Sequence, residues 1–298
     1  MRRFKLFFFA VALTACTQEA GSPKADAPVT TAAEKSSPSS EQAGAENEKE
    51  QLPDGGELLA AHVEASGGAA AIPKFESLHV EGEIAVESHN LKGTTKLWWQ
   101  KDGKFYLEQY IEGIGMSRVG HDGETIWLED PITGLRKLEG SEAVGYLQSS
   151  AMFLGHDWQG QFAAANTLGK QKLEDGKEVW EVELVSKGGP NLTIGLDANS
   201  KLIRYVKTMQ PSLLGETPFE VRSDRYEAIE GYKFPMQKTI AISGLIELDE
   251  TVTETQVNVP IDPAMFAFPS KRTVVPVDPK KQAPVEAPAK DAPPESGK

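Results

Sequence analysis

This chain has no second thiol. Cys16 is the only cysteine in 298 residues, which rules out an intramolecular disulfide and a cysteine-based metal cluster, so packing has to hold the fold. Basic residues are also in short supply. The 31 Lys and Arg stand against 44 Asp and Glu for a net charge of -13, which argues against nucleic acid or bare anionic lipid as a partner. No glycine-rich phosphate loop, zinc-ligand spacing or nucleophile elbow occurs. The five histidines are dispersed: His62 in a helical stretch, His79 and His89 around a strand, and His121 and His156 each before an aspartate at a Gly-His-Asp turn. Such turns need no metal. No catalytic site, no metal and no cofactor is expected, and the chain reads as a non-enzyme.

What is present starts at the N-terminus. Arg2, Arg3 and Lys5 precede an apolar run from Leu6 to Leu13, too short to cross roughly 30 Å of hydrocarbon but well suited to a cleaved export signal. Leu13-Thr14-Ala15-Cys16 resembles the lipobox of bacterial lipoproteins, which implies removal of residues 1–15 and acylation of Cys16. Loss of the three basic residues would take the net charge to -16. Each buried CH₂ contributes about 0.8 kcal/mol, so several acyl chains hold a protein on a bilayer almost permanently. Thr17 stands where an inner-membrane retention signal carries aspartate. That resemblance implies the outer membrane, with the chain facing the periplasm.

Residues 16–55 follow as an acylated cysteine and tether without a single aromatic residue. Such a composition cannot bury enough apolar surface to offset the entropy of ordering, and as a coil it would span roughly 35 Å. Residues 271–298 contain six prolines and no aromatics and read as a second extended tail. Between them, residues 56–270 hold all five tryptophans and form one domain of ordinary size.

That domain opens with a helical pattern from Glu57 to Ala65, stopped by Gly67-Gly68. From Leu78 onward the period is two. Leu78, Val80, Ile84 and Val86 alternate with Glu81, Glu83 and Glu87, and the pattern returns at Trp180-Val182-Leu184, at Leu192-Ile194-Leu196 and at Ile246-Leu248-Val252. One wet and one dry face is the habit of antiparallel sheets. Turn signals at Lys101–Lys104, Glu174–Lys177 and Glu230-Gly231 fall at hairpin spacing. Ten or eleven strands are expected, enough to curl into an open or half β-barrel. The period breaks between Ser141 and about Leu168, where one or two helices are expected, placed to cover the sheet as a lid. The fold class is therefore mainly β with helices (α+β).

Several stretches resemble the LolA/LolB-like outer-membrane lipoprotein-sorting family. They are "ELLAAHVEASGGAAAIPKFESLHVEGEI", "HDGETIWLEDPITG" and, at the C-terminal edge, "YEAIEGYKFPMQKTI" with "VNVPIDPAMFAFP". The resemblance implies an open barrel with a helical lid around an apolar cavity, an inward Trp127, and lipid acyl chains or a lipoprotein as partner. Lys101-Asp102 replaces the Arg-Pro common in that family. Trp98 and Trp99 are neighbours on one strand, so only one can face inward. Flexible apolar side chains suit an acyl chain, which makes Trp98, Trp99, Ile114, Met116, Trp127, Leu147, Met152 and Phe153 the candidate cavity residues. A filled core built from the same side chains is the competing expectation. The alternative function is an envelope module that binds a protein partner. Membrane fractionation of the cells is expected to place the chain with the outer membrane; residence in the inner membrane overturns the reading of Thr17.

Overall fold

The computed structural model of the chain describes residues 52–212, 215–242 and 246–270. The lipobox with Cys16, the tether up to residue 51 and the tail 271–298 lie outside the described residues. The fold begins slightly earlier than the helical pattern does. Asp54 accepts a 3.0 Å bond from the Glu57 amide and caps helix α1, Gly55–Ala65, satisfying one of the free amides of its first turn. Thr167 Oγ1 donates to the Pro53 carbonyl, so Pro53 and Asp54 also belong to the domain.

Six strands follow α1: β1 (Ser77–Val86), β2 (Leu91–Gln100), β3 (Phe105–Ile111), β4 (Gly115–His121), β5 (Ile126–Asp130) and β6 (Gly134–Lys137). Helix α2 (Gly140–Ser149) and a 3-10 turn (Trp158–Gly160) lead to β7 (Phe162–Lys172). The chain then runs through β8 (Glu178–Ser186), β9 (Leu192–Asp197), β10 (Ile203–Ser212), β11 (Gly215–Ile229), β12 (Tyr232–Ile242) and β13 (Ile246–Val257). These thirteen strands form one antiparallel sheet in the order β6-β5-β4-β3-β2-β1-β13-β12-β11-β10-β9-β8-β7. Every neighbour in that order is a sequence neighbour except one pair. β1 and β13 join the two halves, with Leu78 opposite Val257 and Ile84 opposite Glu250, across a bulge between Glu81 and Gly82.

The strand count exceeds the expected ten or eleven, and the difference lies in short or weakly patterned pieces. β5 and β6 are 5 and 4 residues long, too brief to show a period. β7 occupies part of the stretch expected to be helical, because Phe162–Lys172 is poor in large apolar residues and its pairing with β8 decides its form. Only one α-helix, of 10 residues, is found there. The expected hairpins at Lys101–Lys104, Glu174–Lys177 and Glu230-Gly231 all form. Glu230 and Gly231, with φ of 49° and 86°, adopt the left-handed pair that a two-residue hairpin requires.

Curling of the sheet follows from α2. Arg136 on β6 donates to both Glu142 oxygens at 2.8 and 2.7 Å, and Gln148 Nε2 donates to Ser186 Oγ on β8 at 2.8 Å. Glu142 and Gln148 are about 9 Å apart along a helix axis. In a flat sheet, β6 and β8 would be separated by roughly 50 Å at the usual strand spacing. The sheet must therefore bend until its two edges, β6 and β7, approach each other, and α2 bridges the seam.

Two clusters fill the helix-bearing inner face. Leu58 and Leu59 of α1 pack on Phe162, Val182, Leu184, Leu192, Ile194 and Leu196. Phe75, Leu78, Trp99, Phe105, Leu128 and Tyr232 form the other cluster. The outer face carries an ion network in which Arg118 bridges Glu108 at 3.0 Å and Glu129 at 3.1 Å. After β13 the chain crosses this outer face. Ser77 Oγ donates to the Val259 carbonyl at 2.6 Å, and Trp127 Nε1 donates to the Phe266 carbonyl at 2.9 Å.

His62 anchors α1, since its Nδ1 lies 3.1 Å from the Lys201 carbonyl. Burial holds its pKa below the ordinary 6.5, against the opposing effect of that carbonyl. The unfolded chain thus binds a proton that the folded chain refuses, and stability falls as pH drops through about 6.5. His62→Gln, which can keep the bond to Lys201, is expected to flatten this part of the stability profile in urea unfolding between pH 7 and pH 5.5. An unchanged slope would show that His62 does not contribute.

An apolar cleft at the seam of the sheet

The seam encloses a half-open cleft of about 520 Å³ with a mostly apolar lining. Trp99, Gly103, Phe105 and His121, from the ends of β2, β3 and β4, form one wall. Val144 and Leu147 of α2, with Ser150 and Ala151 after it, form the roof. Gly160, Gln161, Lys187 and Gly188 close the far side, where the Lys187 amide donates to the Gln161 carbonyl at 3.2 Å. The volume falls within the usual range for small-molecule sites. Close backbone packing seats the roof: the Cβ that Gly189 lacks would meet Val144 at 2.5 Å.

Cross-strand register explains which wall residues share a face, because directly paired residues of an antiparallel sheet point the same way. Trp99 is opposite Leu78 and Phe105, Phe105 is opposite His121, and all face inward. Trp98, Tyr106, Gly120 and Trp127 are opposite one another in turn and face outward.

The candidate cavity residues are accordingly divided. Trp99 and Leu147 line the cleft. Phe153 and Met152 pack on the core cluster instead, and the Phe153 ring lies 5.6 Å from Phe75, 5.5 Å from Trp99, 5.1 Å from Tyr232 and 5.9 Å from Phe234. That part of the interior is filled. Trp98 stacks on His79 at 4.5 Å on the outer face. Trp127 is not inward: its 1 % exposed ring lies against Gly120, where a Cβ would meet it at 2.3 Å, and beneath Phe266 of the C-terminal segment. Met116 is opposite Tyr110 on the outer face, and Ile114 occupies the turn between β3 and β4.

Other features of the inner face are not conspicuous in sequence. Phe105, Val144, Gln161 and Lys187 reach the cleft only because α2 draws the sheet edges together. On the central strands Phe219, Val221, Ile240, Ile242, Ile246 and Leu248 share the inner face by register and are half-buried. The alternation within β11 to β13 was the available signal for these six. The same face carries an ion pair between Lys238 and Glu250 at 2.6 Å, with Glu250 only 6 % exposed.

Polar groups at the cleft are few. His121 Nδ1 lies 3.1 Å from the Gly103 carbonyl, and Lys187 Nζ donates to the Gln159 carbonyl at 2.6 Å. Asp122, next to His121, serves its turn: it accepts from the Thr125 amide at 2.8 Å and the Glu124 amide at 3.0 Å. These bonds, led by that from Thr125, hold its carboxyl below the usual range. Among the described residues no group of three or more His, Cys, Asp or Glu could hold a metal ion. No helix among them is long and apolar enough to cross a membrane.

No protein-family model matches the chain, and no curated protein matches it. Among solved structures, it is similar to a DUF1329 family protein from Desulfovibrio piger, at 13% identity and a TM-score of 0.47, over 72% of this chain and 95% of that one. It is also similar to a LolA superfamily protein from Nitrosomonas europaea, at 10% identity and a TM-score of 0.47, over 72% and 98%. A third is a putative outer membrane lipoprotein-sorting protein domain from Vibrio parahaemolyticus, at 14% identity and a TM-score of 0.42, over 71% and 95%. The second and third of these bear the family name that the sequence motifs resemble. Likeness at this level carries no functional argument, which rests on the cleft itself.

Phe153 separates the filled interior from the cleft through Trp99. Phe153→Ala is expected to cost about 3 kcal/mol in unfolding free energy, at the low end for such a truncation because the ring is only partly buried. Urea unfolding checks this; a loss under about 1 kcal/mol would mean that the aromatic cluster is not a packed core.

Proposed function

We propose that this chain is a membrane-anchored envelope lipoprotein whose domain holds the acyl chain of an amphiphile in the cleft at the seam, with α2 as its cover. The observation that carries this reading is the cleft of about 520 Å³, walled by Trp99 and Phe105 and roofed by Val144 and Leu147 beside the packed aromatic cluster around Phe153. An apolar slot with a few polar groups at its rim is the usual form of a small-molecule site. Besides its contacts with β6 and β8, α2 packs Gly145 against Gln210 and Pro211 of β10 and Tyr146 and Leu147 against the core cluster, which holds the cover in place over the cleft.

The rest of the reading comes from the sequence. Cys16, with its acyl groups, would fix the protein to the outer membrane, and the tether would let the domain reach roughly 35 Å from it. Sorting of lipids or lipoproteins between membranes is the role this arrangement suits. The half-buried apolar side chains of β11 to β13 offer further inner surface along which a longer chain can lie. No step of this role requires a reacting group, so the protein is proposed as a binding protein and not an enzyme.

A soluble chain starting at Thr17, one residue beyond the acylated Cys16, keeps every described residue and carries no acyl group of its own. It is expected to bind a fluorescent fatty acid with one site and to release lipid in native mass spectrometry. Leu147→Trp, which fills the roof, should weaken that binding at least about ten-fold, equivalent to about 1.4 kcal/mol. Failure to bind, together with a stoichiometric protein crosslinked in cells, would replace this reading with that of a partner-binding envelope module.

A further inference from the structure

We infer that the amphiphile held in the cleft is a single-chain one with an anionic head group, and that Lys187 receives this group at the far side. The inference rests on the acyl-binding reading above and names the ligand class for that same site. Its basis is the distribution of charge. In a chain of 44 acidic and 31 basic residues, the residues lining the cleft include one lysine and one histidine and no aspartate or glutamate.

Lys187, exposed at the rim, is the one lysine lining the cleft. Its Nζ gives one proton to the Gln159 carbonyl at 2.6 Å and, having three, keeps two for a ligand. Among the described residues no carboxylate pairs with it; Lys74, Lys137, Lys207 and Lys233 also lack an acidic partner, but of these only Lys187 lines the cleft. The position is also built. The Lys187 amide is bonded to Gln161, and the Gly188 and Gly189 amides donate to Ser186 Oγ at 3.3 and 2.8 Å, the hydroxyl that also receives Gln148 of α2. The loop presenting the cation is therefore joined to the roof.

The opposite wall is apolar, formed by Trp99 and Phe105, and its one polar side chain is of another kind. With Nδ1 committed to the Gly103 carbonyl, His121 has only Nε2 left for a ligand, against the two protons of Lys187. The arrangement thus has direction: hydrocarbon against the β2–β4 wall and under α2, the anion towards the loop between β8 and β9. A single cation and a volume of about 520 Å³ suit one chain with one charge better than a multi-chain lipid.

The test compares dodecanoate with dodecan-1-ol, which differ in head-group charge, by displacement of the uncharged probe N-phenyl-1-naphthylamine from the non-acylated chain starting at Thr17. A charge-assisted hydrogen bond predicts that dodecanoate binds at least about ten-fold more tightly than the alcohol. Lys187→Glu should abolish this preference, Lys187→Gln should reduce it, and Lys172→Glu on exposed β7 should leave it intact. Circular dichroism shows whether a variant has folded, and the milder glutamine substitution decides should the glutamate variant fail. Equal binding of the two ligands to the unaltered protein, or a preference that survives both Lys187 substitutions, overturns the inference while acyl binding stands. Binding of neither ligand removes the acyl-binding reading and this inference with it.

Discussion

The pairing of β1 with β13 is the constraint on which the remaining architecture depends. All other strand pairs join sequence neighbours and need only a turn. This one brings Leu78 to Val257 across most of the domain, and its loop-closure entropy must be met by the contacts it makes possible. Without it there would be two separate meanders, one of six strands and one of seven, each with an additional unpaired edge. With it, a single sheet is long enough to curl and bring β6 near β8.

Closing the ladder completely would leave no seam. The sheet instead ends at β6 and β7, and α2 spans the gap through Arg136 and Ser186. This arrangement separates two tasks within one interior. On one side Phe75, Phe153, Tyr232 and Phe234 interlock as rings, and the space is occupied. On the other, beyond Trp99, the roof is held by Gly189 against Val144, by Gly145 against Gln210 and Pro211 of β10 and by a glutamine-to-serine bond, and space remains. Trp99 belongs to both regions, so the packed core fixes the geometry of the cleft wall. The outer face makes a similar use of one residue. Trp127 is buried there because the C-terminal segment, after β13, lies over it.

Much of the fold was legible along the chain because period-two alternation and turn chemistry are local. Leu78, Val80 and Ile84 against Glu81 and Glu83 set the inner and outer faces of β1, and Asp102-Gly103 and Glu230-Gly231 placed hairpins where they form. The helical break near Ser141 was visible, though its length was overestimated: Phe162 to Leu168 has few large side chains to display a period. The site was much less legible. Trp99 and Leu147 reach the cleft, but Met152 and Phe153 fill the core, and Trp98, Trp127 and Met116 face outward. Adjacency required Trp98 and Trp99 to part, yet only the inward neighbours Leu78 and Phe105 show which of them faces in. Lys187 gave no local signal at all, since a lysine in a glycine-rich turn resembles any solvated loop.

The sequence by itself determined the properties that depend on near neighbours or composition: the single thiol and the absence of a disulfide, the aromatic-free stretches 16–55 and 271–298, the antiparallel alternation and the positions of the turns. A short window of side chains suffices for each of these, because pleat and turn preferences act over a few residues. Tertiary structure alone decided which face of Trp127 is covered, how far the sheet bends, and that Trp99, Leu147 and Lys187 surround one space. Those outcomes depend on β1 meeting β13 and on α2 reaching both β6 and β8. Contacts between residues so far apart in the chain are selected by the packing of the whole domain, and no local pattern encodes them.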